Sequence, residues 1–153
     1  MTGGFVYVLA DQSGRHKIGS AIDPMARRAT LQTGHPEVLS FAYIGVAPEG
    51  VYTAIERAAH SLLEGRRISA GGSDWFSVPA SIAIGAVLEA SHRNGWPIQQ
   101  VSPDMVPTII QLANQPQAVP VSDDHQEWIV RWVMSGLFVA LVAGVVWSIF
   151  TKF

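Results

Sequence analysis

The sequence predicts an α+β fold: a small antiparallel three-stranded sheet flanked by helices, followed by a linker and a single transmembrane α-helix. Three observations carry this expectation. Short β-rich runs alternate with helical patterns up to residue 96. Five prolines (Pro97, Pro103, Pro107, Pro116 and Pro120) then fall among Gln, Asn, Ser and acidic residues. Finally, residues 132–150 (WVMSGLFVALVAGVVWSIF) are 19 in a row without a charged side chain.

The elements follow in order. Residues 5–10 (FVYVLA) are β-rich, and residues 11–14 are turn material. Residues 16–20 return as a second short strand. Asp23-Pro24 starts a helix, with Asp as N-cap and Pro at the first helical position. That helix stops at Gly34, with Pro36 beyond. Residues 38–47 alternate as a third strand. Residues 51–64 form an amphipathic helix with Val51, Ile55, Ala58, Ala59, Leu62 and Leu63 on its core side. Residues 73–78 (SDWFSV) are a short extended piece, and residues 79–94 a third helix.

Three parts result: a domain over residues 1–96, a Pro-rich acidic linker over 97–127 with a short helix at 105–113, and an anchor over 128–153. The apolar run would span about 28 Å as a helix, close to the hydrocarbon thickness of a bilayer. Trp128, Trp132, Trp147 and Phe153 lie near its ends, where aromatic rings favour the headgroup level. Residues 1–4 carry no basic start and the next apolar run breaks at Asp11, so no signal peptide is read. The expectation is a tail-anchored, single-pass membrane protein with its N-terminal domain in the cytoplasm. Gly136, Ala140 and Gly144 recur every four residues, a face that would allow weak homodimerisation.

Composition narrows the function. The 153 residues are too few for two full enzyme domains. The absence of cysteine excludes a disulfide framework, a cysteine zinc site and a thiol nucleophile. The net charge of -2 argues against whole-molecule attraction to nucleic acid but allows a local basic patch.

Candidate chemistry lies in the N-terminal part. Tyr52, Glu56 and His60 stand at i, i+4 and i+8, a stripe beside the apolar face of their helix. A half-buried carboxylate next to a histidine suits a hard metal ion, although the spacing alone favours a surface Glu–His pair. Arg27 and Arg28 open the preceding helix, where guanidinium groups suit phosphate, or simply solvent. His16 and Lys17 could add donors, and Tyr7 is either a core tyrosine or a hydroxyl at the rim of the sheet.

Taken together, FVYVL, HKIGSAIDPMARRATLQTGHP, IERAAHSLLEGRR and SDWFSV resemble the GIY-YIG endonuclease superfamily over about residues 4–80, most closely its compact phage and bacterial branch with a KIG second signature. The resemblance implies that Tyr7 takes the place of the first signature tyrosine and Arg27 that of the helix arginine. Glu56 would be the metal-binding glutamate for Mg²⁺ or Mn²⁺, and His60 the histidine one turn later. Lys17 stands where the second tyrosine would be. A lysine is a poor base but a good phosphate partner. Tyr7, with His60, would act on the attacking water, while Arg27 and Lys17 stabilise charge on the phosphoryl oxygens. The implied function is a membrane-anchored endonuclease that hydrolyses DNA. The alternative is a catalytically inactive module of the same fold that binds nucleic acid or protein. A third reading is a histidine–carboxylate site for zinc or manganese, made by Glu56 and His60 with His16 or His35.

Overall fold

The FVYVL segment is apolar at every position rather than at alternate ones, and its place in the fold explains this. It lies in β1 (Gly4–Ala10), the central strand of a sheet covered on both faces. The computed structural model of the chain describes residues 3–68 and 74–115. Beside β1 lie β2 (His16–Ala21) and β3 (Ser40–Ala47), each paired antiparallel to it. Outside these lie β4 (Trp75–Phe76) on β2 and β5 (Gln99–Gln100) on β3, so the strand order is β4-β2-β1-β3-β5.

The expected three-stranded sheet is therefore corrected to five strands. Its three central strands are those read from the sequence, and the two added edges are two residues long each. A two-residue strand carries no hydrophobic alternation; backbone pairing to a neighbour creates it.

Four helices cover the sheet. Helix α1 (Pro24–Thr33) begins with Asp23 accepting hydrogen bonds from the Met25 and Ala26 N–H groups. Helices α2 (Val51–Leu62) and α3 (Ala80–Arg93) pack on one face, where Ile55, Ala59, Ala83, Val87 and Ala90 meet Val6, Val8 and Ile18. On the other face, Phe5, Tyr7, Leu9 and Ile44 meet Met25 and Leu31 of α1 and Val106, Ile109 and Ile110 of α4 (Val106–Asn114).

The tether expected from residue 97 is thus folded as far as residue 115. Val106, Ile109 and Ile110 give α4 an apolar stripe to bury, and Pro107 sits in its first turn, where a missing N–H breaks no helical bond. The membrane-spanning helix also leaves the description of the fold. Among the described residues no helix is long and apolar enough to cross a membrane. The longest, α3, has 14 residues, or about 21 Å. The apolar run at 132–150, the rest of the expected linker and the face of Gly136, Ala140 and Gly144 lie outside the described residues.

Two buried polar groups set the stability of this unit in opposite directions. Asp11 closes the β1–β2 turn: its carboxylate accepts from the Ser13 N–H and hydroxyl, from the Arg15 N–H and from Arg15 Nε at 2.7 Å. Burial pushes the Asp11 carboxyl up, but these hydrogen bonds and the Arg15 charge outweigh it and hold it below the ordinary 3.8. A depressed carboxyl stabilises the fold above its unfolded value, and that contribution is lost as pH falls through the folded value. Acidification below about pH 4 should therefore weaken the parent, and Asp11→Asn should flatten this part of a stability-against-pH curve measured by urea unfolding. Tyr43 is the opposite case. Its hydroxyl is buried without a hydrogen-bond partner among the described residues. Tyr43→Phe should be neutral or raise unfolding stability by about 1 kcal/mol, because a lone buried hydroxyl costs desolvation for no bond.

Candidate functional site

The site forms around the part of β2 that follows its described pairing with β4. β4 pairs with β2 only at His16 and Lys17, and one further bond runs from the Ile18 N–H to the Asp74 carbonyl at 3.2 Å. In an antiparallel ladder the N–H and C=O of one residue point to the same side. The Ile18 carbonyl therefore points to the same side as its N–H, the side on which β4 lies. Its partner there is the ring of His60, from α2, with Nε2 at 3.0 Å. A carbonyl only accepts, so Nε2 carries the proton of this bond, which leaves Nδ1 as the second ring nitrogen. That nitrogen lies 4.0 Å from Asp74 Oδ1, while Asp74 Oδ2 accepts from Lys17 Nζ at 2.8 Å.

Register decides which face of β2 supplies each group. Lys17 and Gly19 stand opposite Leu9 and Tyr7, on the α1/α4 face. Ser20 stands opposite Val6, on the α2/α3 face, and its hydroxyl donates to Glu56 Oε2 at 2.5 Å. Gly19 makes the meeting possible. A Cβ there would lie 2.5 Å from the Tyr7 hydroxyl, so the phenol occupies the space that a side chain would take. Tyr7, Lys17 and Arg27 thus reach the edge from one face, Glu56 and His60 from the other.

The charges around Tyr7 show this convergence. Burial raises its pKa above 10.0; a hydrogen bond and the positive charge of Arg27 oppose that, and the charges of Glu56 and Asp74 reinforce it. Burial wins, and the phenol is protonated at neutral pH. The Lys17 ammonium is paired with Asp74, and Arg27 is the cation that acts on the phenol. Arg27 itself is exposed and has no carboxylate partner within ion-pair distance among the described residues.

Other candidates have structural duties. Arg28 donates to the Leu39 carbonyl at 3.1 Å and lies over the Phe41 ring, tying α1 to β3. His16 Nδ1 donates to the Val78 carbonyl at 2.8 Å. His35 stacks on Trp75 with ring centres 5.0 Å apart. Tyr52 lies against Gly4, where a Cβ would come within 2.5 Å of its ring. Among the described residues no three His, Asp or Glu side chains gather as a metal set, which removes the reading with His16 or His35.

A divalent cation of another kind fits. Glu56 has one oxygen held by Ser20, and Oε1 accepts no hydrogen bond among the described residues. One open carboxylate oxygen suits Mg²⁺ or Mn²⁺, which keep several waters and take further oxygens from phosphate. It does not make a zinc cage. A recess of about 260 Å³ lies elsewhere, between α1 and α4; its Asp23 caps α1.

Sequence reasoning passed over Ser20 as a site residue and noted Asp74 only as part of the DWF element. For Ser20 the signal was its place beside Gly19 on the opposite face of the strand. For Asp74 no local signal exists, because its partners Lys17 and His60 lie 57 and 14 residues away in sequence.

A family model for the T5orf172 domain matches residues 4–91, a span that holds Tyr7, Lys17, Ser20, Arg27, Glu56, His60 and Asp74. No curated protein and no solved structure matches the chain.

Gly19→Ala tests the geometry. Tyr7 is 1% exposed and has little room to retreat. The substitution should destabilise the unit by about 1–3 kcal/mol through overpacking. In a Tyr7→Ala background most of that cost should vanish, a coupling that a double-mutant cycle on urea unfolding measures directly.

Proposed function

The chain belongs to the T5orf172 family, a domain found in GIY-YIG- and HNH-like phage nuclease-associated proteins, and we propose that its folded unit hydrolyses DNA phosphodiester bonds with Mg²⁺ or Mn²⁺. One observation carries the proposal. An exposed guanidinium, a carboxylate with an open oxygen, an imidazole of fixed tautomer and a neutral phenol gather at one strand edge.

Glu56 would hold the cation, which when bound supplies positive charge at the leaving oxygen. Arg27 binds the scissile phosphate and stabilises the negative charge that builds on its non-bridging oxygens. His60 accepts the proton of the attacking water at Nδ1, the nitrogen left free by the Ile18 carbonyl. The imidazolium so formed faces the Asp74 carboxylate. The hydroxide oxygen bonds to phosphorus, the bond to the leaving oxygen breaks, and that oxygen takes a proton from solvent. Tyr7, protonated, orients the water and the phosphate instead of acting as base. Lys17 has a positioning role through Asp74 rather than a direct one on phosphate.

The second reading, a DNA-binding module without turnover, is favoured by the protonated state of Tyr7 and by the pairing of Lys17 with Asp74. The first removes a base, and the second a phosphate partner, from the places where the resemblance puts them. It requires binding without cleavage at any divalent metal, with affinity falling steeply as salt rises.

A plasmid-nicking assay with the full chain and Mg²⁺ separates the two. Glu56→Gln, Arg27→Ala and His60→Gln should each lower the nicking rate by about 100-fold or more, equivalent to about 2.7 kcal/mol of barrier. Variants that nick as fast as the parent would identify a contaminant and end the hydrolase reading. Tight salt-sensitive binding without nicking by the parent would establish the binding module.

A further inference from the structure

Ser20 bonds Glu56 across the gap between β2 and α2, with Oγ donating to Oε2 at 2.5 Å. The strand presents Ser20 on the α2 side, immediately after the glycine over which Tyr7 lies. Glu56 is a half-buried side chain on the flank of α2, and the Ser20 hydroxyl is its hydrogen-bond partner among the described residues. The hydroxyl donor engages Oε2, and among the described residues Oε1 accepts no hydrogen bond. A carboxylate held in this way offers one oxygen, the mode that an octahedral ion with a mostly water and phosphate shell accepts. The donor comes from a strand of the sheet rather than from a loop, so its position is fixed by the ladder to β1.

We infer that Ser20 is a positioning residue for divalent-cation binding: its hydroxyl holds Glu56 so that a single carboxylate oxygen receives the ion. This rests on the reading of Glu56 as the cation ligand and adds a residue on which the site depends. Hydrogen-bond partners of metal-binding carboxylates commonly change metal affinity by 10- to 100-fold, so the effect is measurable without turnover.

The experiment is Mn²⁺ binding to the full chain without DNA, followed by calorimetry and by the EPR signal of free Mn²⁺. Ser20→Ala should weaken binding by about tenfold or more, and Ser20→Thr, which keeps the hydroxyl, should stay within about threefold of the parent. Glu56→Gln should abolish binding at Oε1. Should Ala impair folding, judged by the melting midpoint, Ser20→Cys keeps the size, weakens the donor and should show the same loss. A parent that binds no Mn²⁺, or binding unchanged in Glu56→Gln, overturns the cation reading and this inference with it. Binding that depends on Glu56 but is equal in parent and Ser20→Ala overturns the inference alone. Equal losses in Ser20→Ala and Ser20→Thr overturn it too, since the hydroxyl would then be irrelevant.

Discussion

A backbone carbonyl at the edge of a sheet needs a donor, and at Ile18 that donor is a histidine ring instead of another strand. The rest of the site depends on this substitution. Because β4 pairs with β2 only at His16 and Lys17 among the described residues, the Ile18 carbonyl is left to another donor. Because His60 supplies that donor from α2, its ring is oriented and its tautomer chosen by the main chain. Because Gly19 follows with no side chain, the phenol of Tyr7 can lie over the strand from the other face. Two layers that a continuous sheet would keep apart therefore share one small volume.

Charge within that volume is distributed unevenly. Lys17, with a side chain only 7% exposed, is neutralised by Asp74. Asp74 in turn faces His60, so the pair ties both faces of the sheet together at its margin. What remains outward is Arg27, a guanidinium suited to an anion, and one oxygen of Glu56, suited to a cation. A phosphodiester with its metal ion needs both. The nearly balanced charge of the domain as a whole, eight basic against eight acidic residues up to residue 96, conceals this local arrangement, since most of the paired charges lie in structural contacts such as Asp11 with Arg15.

Several features were legible residue by residue. Asp23-Pro24 announced the start of α1, and the structure caps it with those residues. The spacing of Ile55, Ala59 and Leu63 marked the buried side of α2. The helical spacing of Glu56 and His60 placed both on one flank, and both reach the β2 edge from there. The stripe failed at Tyr52, whose ring fills the space over Gly4, because helical periodicity says which residues align but not what each aligned residue meets. The prolines after residue 96 read as a tether; Pro103 and Pro107 open a turn and a helix whose Val106 is buried against the sheet.

Sequence alone determined the properties that travel with neighbours along the chain: caps, turns, amphipathic faces, the central strands and the absence of thiol chemistry. Tertiary structure decided the properties that need partners brought together from afar. These include the two edge strands, the pairing of Lys17 with Asp74, the hydroxyl of Ser20 on Glu56 and the protonated state of Tyr7. The reason is physical. Local signals reflect the geometry of a few consecutive residues, whereas hydrogen-bond satisfaction and desolvation depend on what fills the space around a group, and that is set only when the layers close.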